Sequence, residues 1–126
     1  LYGTGEQVRD WIHVDDHNDA VLAILERGKA GETYNIGAAG ERSNLEVIGI
    51  ICELMGGEFE RVADRPGHDM RYAMDATKLH DELSWQPRYT DMREGLANTI
   101  EWYRSNEAWW REAKDAVENA YASRGQ

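Results

Sequence analysis

The sequence predicts a small, helix-rich α/β domain that carries a few short strands. Five apolar stripes with helical spacing run along its 126 residues, and short segments rich in branched and aromatic residues flank the first of them. Hydrophobic residues make up 41% of the chain and charged residues 30%, a balance typical of a folded core. We therefore expect a single domain over 1–126, with about five helices and three or four strands.

The first part of the chain is expected to form a parallel βαβ unit. Residues 8–14 are rich in branched and aromatic side chains and predict a strand, and residues 32–36, which stand between two glycines, predict another. The apolar residues between these strands share one helical face over 16–27. Asp15 is placed to cap the start of this helix, and Gly28 is placed to cap its end.

The clearest helix start in the sequence is a capping box. Ser43 and Glu46 have the S-x-x-E spacing, and the apolar stripe that follows them stops at Gly56. Because a stripe with helical spacing normally faces the core, we expect burial of its residues Val47, Ile48 and Ile51.

The rest of the chain predicts one brief strand and three helices. Residues 71–74 follow a polar turn and have the pattern of a short strand, and helical spacing then runs from Asp75 to a stop at 85–87. Thr90 is placed to cap a longer helix. A last apolar stripe predicts a helix that either covers the core or continues the one before it, with the residues Trp109, Ala113, Val117 and Tyr121.

The net charge limits the possible partners. With 24 acidic and 14 basic residues the chain carries a formal charge of −10, which repels polyanions, so we expect no nucleic-acid binding. A local pair of arginines can still hold a small anion, because salt screens distant carboxylates. No apolar run approaches the length of a membrane span. The one cysteine, Cys52, cannot form an intramolecular disulfide, which fits a cytoplasmic protein.

The motifs of catalysis, cofactor binding and metal binding are missing from these residues. Gly3-x-Gly5 lacks a third glycine and precedes a predicted strand instead of a helix, so no dinucleotide site is expected. No tyrosine has a lysine four residues further on. His13 and His17 are four residues apart, but a predicted helix boundary lies between them, so we predict no metal site there.

One loop, 64–69, concentrates groups that could bind an anion. It combines the fixed charge of Arg65, the restricted backbone of Pro66, the permissive Gly67 and the titratable His68. This combination suits a clamp on a phosphate. The alternative is an ordinary surface turn, in which Arg65 pairs with a neighbouring aspartate, either Asp64 or Asp69.

Several blocks of the sequence, taken in order, resemble one known family. They are Y-G-x-G at 2–5, R-D-W-I-H-V-D-D-H at 9–17, G-E-T-Y-N-I-G at 31–37, N-L-E-V at 44–47 and D-R-P-G-H-D-x-R-Y-A at 64–73. Over nearly its whole length the chain resembles the carboxy-terminal part of the dTDP-glucose 4,6-dehydratase family, which lies in the extended short-chain dehydrogenase/reductase superfamily.

The resemblance implies a division of labour in a longer parent enzyme. A Rossmann domain, expected to lie outside this chain, would hold NAD and the catalytic residues, and the chain would be the lobe that binds the nucleotide sugar, with dTDP-glucose as the expected substrate. The parent is expected to be a homodimer that oxidises the sugar at C4, eliminates water and returns the hydride to C6. This chain alone is expected to be inactive and to bind no NAD.

The resemblance also implies roles for particular residues. Arg9 would contact the diphosphate with Asn44 beside it, and Arg65 and His68 would hold the nucleotide portion. The residues that would shape or line the same pocket are Leu1, Tyr2, Asp64, Pro66 and Gly67.

Physical reasoning supports part of this set. Paired arginines suit a diphosphate, and the free N–H groups at the helix start near Asn44 favour an anion. Alternatives stay open, because Asn44 could simply begin its helix and Arg9 could pair with Asp10 or Asp15. The competing functions are the corresponding lobe of a related nucleotide-sugar epimerase or decarboxylase, and a free-standing nucleotide-sugar-binding module.

Overall fold

The computed structural model describes residues 1–123 and confirms a small, helix-rich α/β fold with five helices in that range. The elements, in chain order, are β1 (Val8–Asp10), α1 (Val14–Arg27), β2 (Glu41–Ser43), α2 (Asn44–Met55), α3 (Thr77–Leu83), α4 (Met92–Ser105) and α5 (Glu107–Ser123). Within α5, the side chains of residues 116 and 121–123 are outside the described part. None of the helices in the described range is long and apolar enough to cross a membrane.

The chain divides into two compact units, and the division falls inside α4. The first unit is Leu1–Gly95, and the second begins at Leu96. All residues that the sequence nominates for ligand binding belong to the first unit.

The small sheet is antiparallel, so the predicted parallel βαβ unit is wrong. β1 pairs with β2 in the register Val8 to Ser43, Arg9 to Arg42 and Asp10 to Glu41. The other edge of β1 is also used: the Val8 N–H donates to the Met70 carbonyl at 2.8 Å, and the Tyr72 N–H donates to the Val8 carbonyl at 3.0 Å. With both edges paired, β1 has no place for another strand.

Residues 32–36 therefore form no strand in the described structure. Their composition suits an extended backbone, but a strand exists only where a partner supplies the ladder hydrogen bonds. Tyr34 and Ile36 instead pack against the core. The predicted strand at 71–74 is likewise reduced to a single bridge, between Arg71 and Val8.

Two helices start at caps other than those predicted. α1 begins at Val14, and its N-cap is His13, whose Nδ1 accepts the Asp15 backbone N–H at 3.2 Å. α4 is capped by Asp91, which accepts the Glu94 N–H at 2.8 Å, so Thr90 is not the cap. The end of α1 at Gly28 is confirmed, since the Gly28 N–H donates to the Ile24 carbonyl.

The capping box of α2 is confirmed, but the burial of its stripe is not complete. Ser43 and Glu46 exchange both hydrogen bonds of the box, and Gly56 ends the helix in the left-handed conformation with φ 72°. On the stripe, Val47 is buried, whereas Ile48 and Ile51 are only half-buried. The expectation of full burial is therefore wrong for both isoleucines.

The core lies between α1 and the segment that contains α3. Its buried members are Ala20, Ala23, Leu79, Leu83 and Trp85. The helix predicted after Asp75 is thus confirmed as α3, and its residues Leu79 and Leu83 are buried.

α5 is exposed along the part whose side chains are described. Trp109 is 73% exposed, and only Trp110 is half-buried among the described side chains. α5 does closely follow α4, because only Asn106 separates the two helices. Tyr121, the last position of the predicted stripe, has its side chain outside the described part.

Candidate functional site

Three arginines and one tyrosine form a cationic surface around β1. Arg9 lies over the Tyr72 ring, with 4.6 Å from its guanidinium carbon to the ring centre. A hydrogen bond to Asp69 raises the pKa of Tyr72, and the positive charges of Arg9 and Arg65 oppose that shift. Both guanidinium groups are therefore close enough to act on the same phenol. Arg42 stands directly opposite Arg9 in the ladder, on the same face of the pair.

Arg9 ties β1 to the loop that carries Arg65. Its guanidinium donates to the Val8 carbonyl at 2.7 Å and to the Asp69 carbonyl at 2.9 Å. The alternative in which Arg9 pairs with Asp10 or Asp15 is wrong. These two contacts use one hydrogen each on Nη1 and Nη2, so other donors of the guanidinium remain for a ligand.

Arg65 presents an unpaired guanidinium within the described structure. Only its backbone N–H makes a hydrogen bond, to Asp64 Oδ1 at 2.9 Å. The side chain is exposed and forms no ion pair with Asp64 or Asp69, so the reading of this loop as an ordinary paired turn is wrong. The turn itself is formed by Pro66 and Gly67, and Gly67 adopts φ 70°, which a glycine tolerates at low cost.

Asp64 orients His68. His68 Nδ1 lies 2.7 Å from Asp64 Oδ1, and the His68 side chain is only 6% exposed. An ionised carboxylate can only accept, so Nδ1 carries the proton and Nε2 is the nitrogen left for a ligand. The hydrogen bond from His68 also lowers the pKa of Asp64. Gln7, which is buried, donates to the other carboxylate oxygen of Asp64 at 3.2 Å.

The start of the chain lies beside this loop. The Val62 N–H donates to the Leu1 carbonyl at 2.9 Å, and the Gly3 N–H donates to the Val62 carbonyl at 3.0 Å. Gly3 adopts φ 55°, and a Cβ there would come within 2.9 Å of Asp64. Tyr2 is 54% exposed between these contacts. Leu1 and Tyr2 are thus held next to the segment that leads into the Asp64 loop.

The start of α2 is not open to an anion, in contrast to the expectation for Asn44. The Asn44 N–H donates to the Gln7 carbonyl at 3.0 Å, and the Leu45 N–H donates to the Gly5 carbonyl at 2.9 Å. The next N–H, that of Glu46, donates to Ser43 Oγ at 3.2 Å. These partners satisfy the first three N–H groups of the helix. The Asn44 side chain remains a candidate contact.

Sequence reasoning missed four residues of this region: Gln7, Arg42, Tyr72 and also Arg61, which donates to the Gly3 and Thr4 carbonyls. Tyr72 could have been identified from the sequence, because the spacing Asp69-x-x-Tyr72 places a phenol near the anion-binding loop. The other three are recognised only through contacts between distant parts of the chain. Gln7, for example, is 57 positions from Asp64.

A separate cleft of about 480 Å³ lies elsewhere in the first unit. Its walls come from residues 37–39 and 74–77, together with His80, Gln86, Pro87 and Thr90. None of the residues nominated for nucleotide binding lines it. In the described residues there is no group of three or more His, Cys, Asp or Glu side chains that could hold a metal ion.

Comparison with known proteins defines the class. The model of the GDP-mannose 4,6 dehydratase family matches residues 1–99. The chain belongs to this family, within the short-chain dehydrogenase/reductase superfamily.

Comparisons with individual proteins indicate which members of the family this chain resembles. The chain is 57% identical to dTDP-glucose 4,6-dehydratase of Mycobacterium tuberculosis (strain ATCC 25618 / H37Rv), over 100% of this chain and 39% of that protein. The crystal structure of dTDP-glucose 4,6-dehydratase from Bacillus anthracis in complex with NAD is 46% identical, with a TM-score of 0.80, over 89% of this chain and 36% of that one. The resemblance expected from the sequence is confirmed.

A third relative carries a different activity in its name. UDP-glucose 4-epimerase of Thermotoga maritima, solved with UDP-glucose, is 33% identical, with a TM-score of 0.75, over 83% of this chain and 34% of that one. The chain thus spans little more than a third of the length of each of these relatives.

Proposed function

We propose that this chain is the nucleotide-sugar-binding lobe of a dTDP-glucose 4,6-dehydratase. In this role the lobe binds the nucleoside diphosphate of the substrate, while oxidation, loss of water and reduction take place on a part of the enzyme outside this chain. The identity of 57% to the Mycobacterium tuberculosis dehydratase supports the dehydratase over other sugar-nucleotide enzymes. The unpaired cysteine, Cys52, fits the cytoplasm as the proposed compartment.

The observation that carries the proposal is the unpaired guanidinium of Arg65 beside Arg9. Two arginine forks can bind the oxygens of a diphosphate in charge-assisted hydrogen bonds. Arg42 adds to the argument, because like charges directly opposite each other destabilise an antiparallel pair. A bound dianion would offset the repulsion between Arg9 and Arg42. His68, whose Nδ1 is bound by Asp64, keeps Nε2 as a further polar contact for the ligand.

The residues described here do not fit NAD, so NAD would bind to another part of the enzyme. Dinucleotide binding needs a strand, a glycine-rich loop and a helix in succession. The Gly3 and Gly5 loop leads into β1 instead, and its two glycines are packed against Asp64, Leu1 and Leu45. The hydride steps are therefore assigned to no residue of this chain.

The rival function is that of the equivalent lobe in a nucleotide-sugar 4-epimerase. The similarity of the chain to the Thermotoga maritima enzyme supports this alternative. Both functions need a diphosphate site of the same kind. They differ in the product, a 4-keto-6-deoxy sugar for the dehydratase and a C4 epimer for the epimerase.

The test uses the full-length protein that contains this chain. Calorimetry with dTDP is expected to show binding that weakens as salt rises, because ion pairs form between the arginines and the diphosphate. Incubation with dTDP-glucose and NAD is expected to yield the 4-keto product. Formation of the C4 epimer instead would support the rival, and absence of dTDP binding at low salt would reject the proposed function. The chain of residues 1–126 alone is expected to show no turnover.

A further inference from the structure

The loop at residues 1–5 is held by segment 60–64 through its backbone. Tyr2 and Val62 form a parallel bridge, flanked by the hydrogen bonds of Val62 to Leu1 and of Gly3 to Val62. The loop needs such support, because Gly3 and Gly5 both adopt positive φ values, 55° and 76°. Glycines lose more conformational freedom on ordering than other residues.

A side chain from the same segment completes the contact. Arg61 Nη1 donates to the Gly3 carbonyl at 3.0 Å and to the Thr4 carbonyl at 2.7 Å. Its guanidinium carbon lies 5.8 Å from the centre of the Phe59 ring. Arg61 therefore binds two successive carbonyls of the loop that carries Tyr2, directly after the tyrosine.

We propose that Arg61 is a positioning residue for nucleotide binding, which holds the loop so that the exposed Tyr2 ring meets the nucleoside part of the ligand. This inference rests on the proposed function. Tyr2 as a residue is 54% exposed, and an exposed aromatic side chain suits the stacking of a base. Arg61 acts through the loop and does not itself contact the diphosphate.

The contacts of Arg61 distinguish this role from that of Arg65. Arg65 has no side-chain partner in the described residues, so its guanidinium is available to bind an anion. Arg61 Nη1 is instead bound to two carbonyls of the loop that carries Tyr2, so the loss of this side chain acts first on that loop. The position of Tyr2 depends on Arg61, whereas the charge that binds phosphate comes from Arg9 and Arg65.

The experiment separates the two parts of the ligand in the full-length protein. Calorimetry compares dTDP with inorganic pyrophosphate, which has the diphosphate but no nucleoside. Arg61→Met keeps the aliphatic stem beside Phe59 and removes the donors. This variant is expected to bind dTDP about three- to tenfold more weakly, the effect of one or two lost hydrogen bonds, with pyrophosphate binding within about twofold of the parent.

Conservative replacement and a double variant sharpen the test. Arg61→Lys is expected to restore most of the dTDP affinity, because a single nitrogen serves both carbonyls in the parent. Tyr2→Ala is expected to weaken dTDP binding, and the addition of Arg61→Met to it is expected to cause little further loss. Arg93→Ala is the control, since Arg93 is an exposed arginine paired with Glu53 away from the loop.

Three results would overturn the inference. One is unchanged dTDP binding in Arg61→Met. Another is an equal loss for dTDP and pyrophosphate, which would indicate a charge effect. The third is an additive loss in the double variant. The proposed function fails separately, through a parent protein that binds no dTDP.

Discussion

The Asp64 carboxylate accepts a hydrogen bond from His68 Nδ1 at 2.7 Å and fixes which nitrogen of the ring carries the proton. The contact joins two residues of one loop, and Gln7 extends it to the loop at the start of the chain. This short chain of hydrogen bonds makes Asp64 a positioning residue for His68.

Asp64→Asn is expected to weaken dTDP binding by the full-length protein about threefold to tenfold, which corresponds to the loss of one oriented hydrogen bond. The amide can present a donor to His68 Nδ1, so the ring no longer has a fixed tautomer. Calorimetry measures the change. Asp81→Asn is the matched control, because Asp81 also pairs with a histidine, His80, but outside the site. Equal effects of the two substitutions would contradict the positioning role.

The hydrogen bond between His68 and Asp64 is expected to make the stability of the folded protein depend on pH. The pKa of Asp64 is lowered from its ordinary value of 3.8, first by the hydrogen bond from His68. A carboxyl whose pKa is lower in the folded state contributes stability that is complete above the unfolded value and is lost as the pH falls through the folded value. In urea unfolding, the parent is therefore expected to exceed Asp64→Asn in stability at pH 7, with the difference shrinking below pH 3.8. A difference that grows in acid would contradict this assignment.

Asp16 and Asp15 are adjacent, yet they should respond very differently to replacement. Asp16 is 1% exposed and accepts the backbone N–H groups of Arg88 and Tyr89, each at 2.9 Å. Asp16→Ala leaves both donors without an acceptor and is expected to cost about 2 to 4 kcal/mol of unfolding free energy. Asp15→Ala, at an exposed position in the first turn of α1, is expected to cost less than about 1 kcal/mol. Urea melts of the 126-residue chain measure both values, and similar losses would refute the distinction.

The sequence was most informative where the structure depends on neighbouring residues, although the predicted caps Asp15 and Thr90 were wrong for α1 and α4. Ser43 and Glu46 interact across one helical turn, so the spacing alone predicts the capping box of α2. The loop of Arg65 and His68 could be recognised for the same reason. The strand over 32–36 could not be judged locally, because its existence depends on whether β1 has a free edge, and residues 41–43 and 70–72 occupy both edges.

Asp16 illustrates the same limit at a single residue. At the start of a helix it has the pattern of an exposed charge that favours the helix dipole, as Asp15 does. Its partners are the backbone groups of Arg88 and Tyr89, 72 and 73 positions away, and no local pattern predicts them. The arginines around β1 could be predicted from the sequence only in part. The sequence nominated Arg9 and Arg65, but only the register of β1 and β2 places Arg42 beside them.

Two leucines of the first unit, one buried and one exposed, are expected to differ in how much their substitution lowers stability. Leu79 in α3 is fully buried, while Leu25 in α1 is 77% exposed in this chain. Leu79→Ala is expected to cost about 2 to 5 kcal/mol through lost burial and a residual cavity. Leu25→Ala is expected to change the stability by less than about 0.5 kcal/mol. Urea melts of the 126-residue chain test both, and a Leu25→Ala loss as large as that of Leu79→Ala would show that the face of α1 is misplaced.

Substitutions of Arg65 and Arg9 are both expected to weaken ligand binding, but only the substitution of Arg9 is expected to lower thermal stability. Each charge-assisted contact with a diphosphate is worth about 1.5 to 3 kcal/mol, so either substitution to alanine is expected to weaken dTDP binding by the full-length protein about tenfold to a hundredfold. Arg65 has no side-chain partner in the described residues, so Arg65→Ala should leave the melting temperature unchanged. Arg9 also holds the Asp69 carbonyl and covers the Tyr72 ring, so Arg9→Ala should lower it.

Calorimetry and thermal melts of the same preparations make this comparison, with Arg93→Ala as the control, because Arg93 is an exposed arginine that pairs with Glu53 and is no member of the site. The loss of affinity in both site variants should shrink as salt rises, since screening weakens the same ion pairs in the parent. If Arg65→Ala bound dTDP as tightly as the parent at low salt, the diphosphate could not lie on the surface formed by Arg9 and Arg65. If Arg65→Ala lowered the melting temperature as much as Arg9→Ala, its guanidinium would have a structural partner, and its assignment as the free anion-binding group would be wrong.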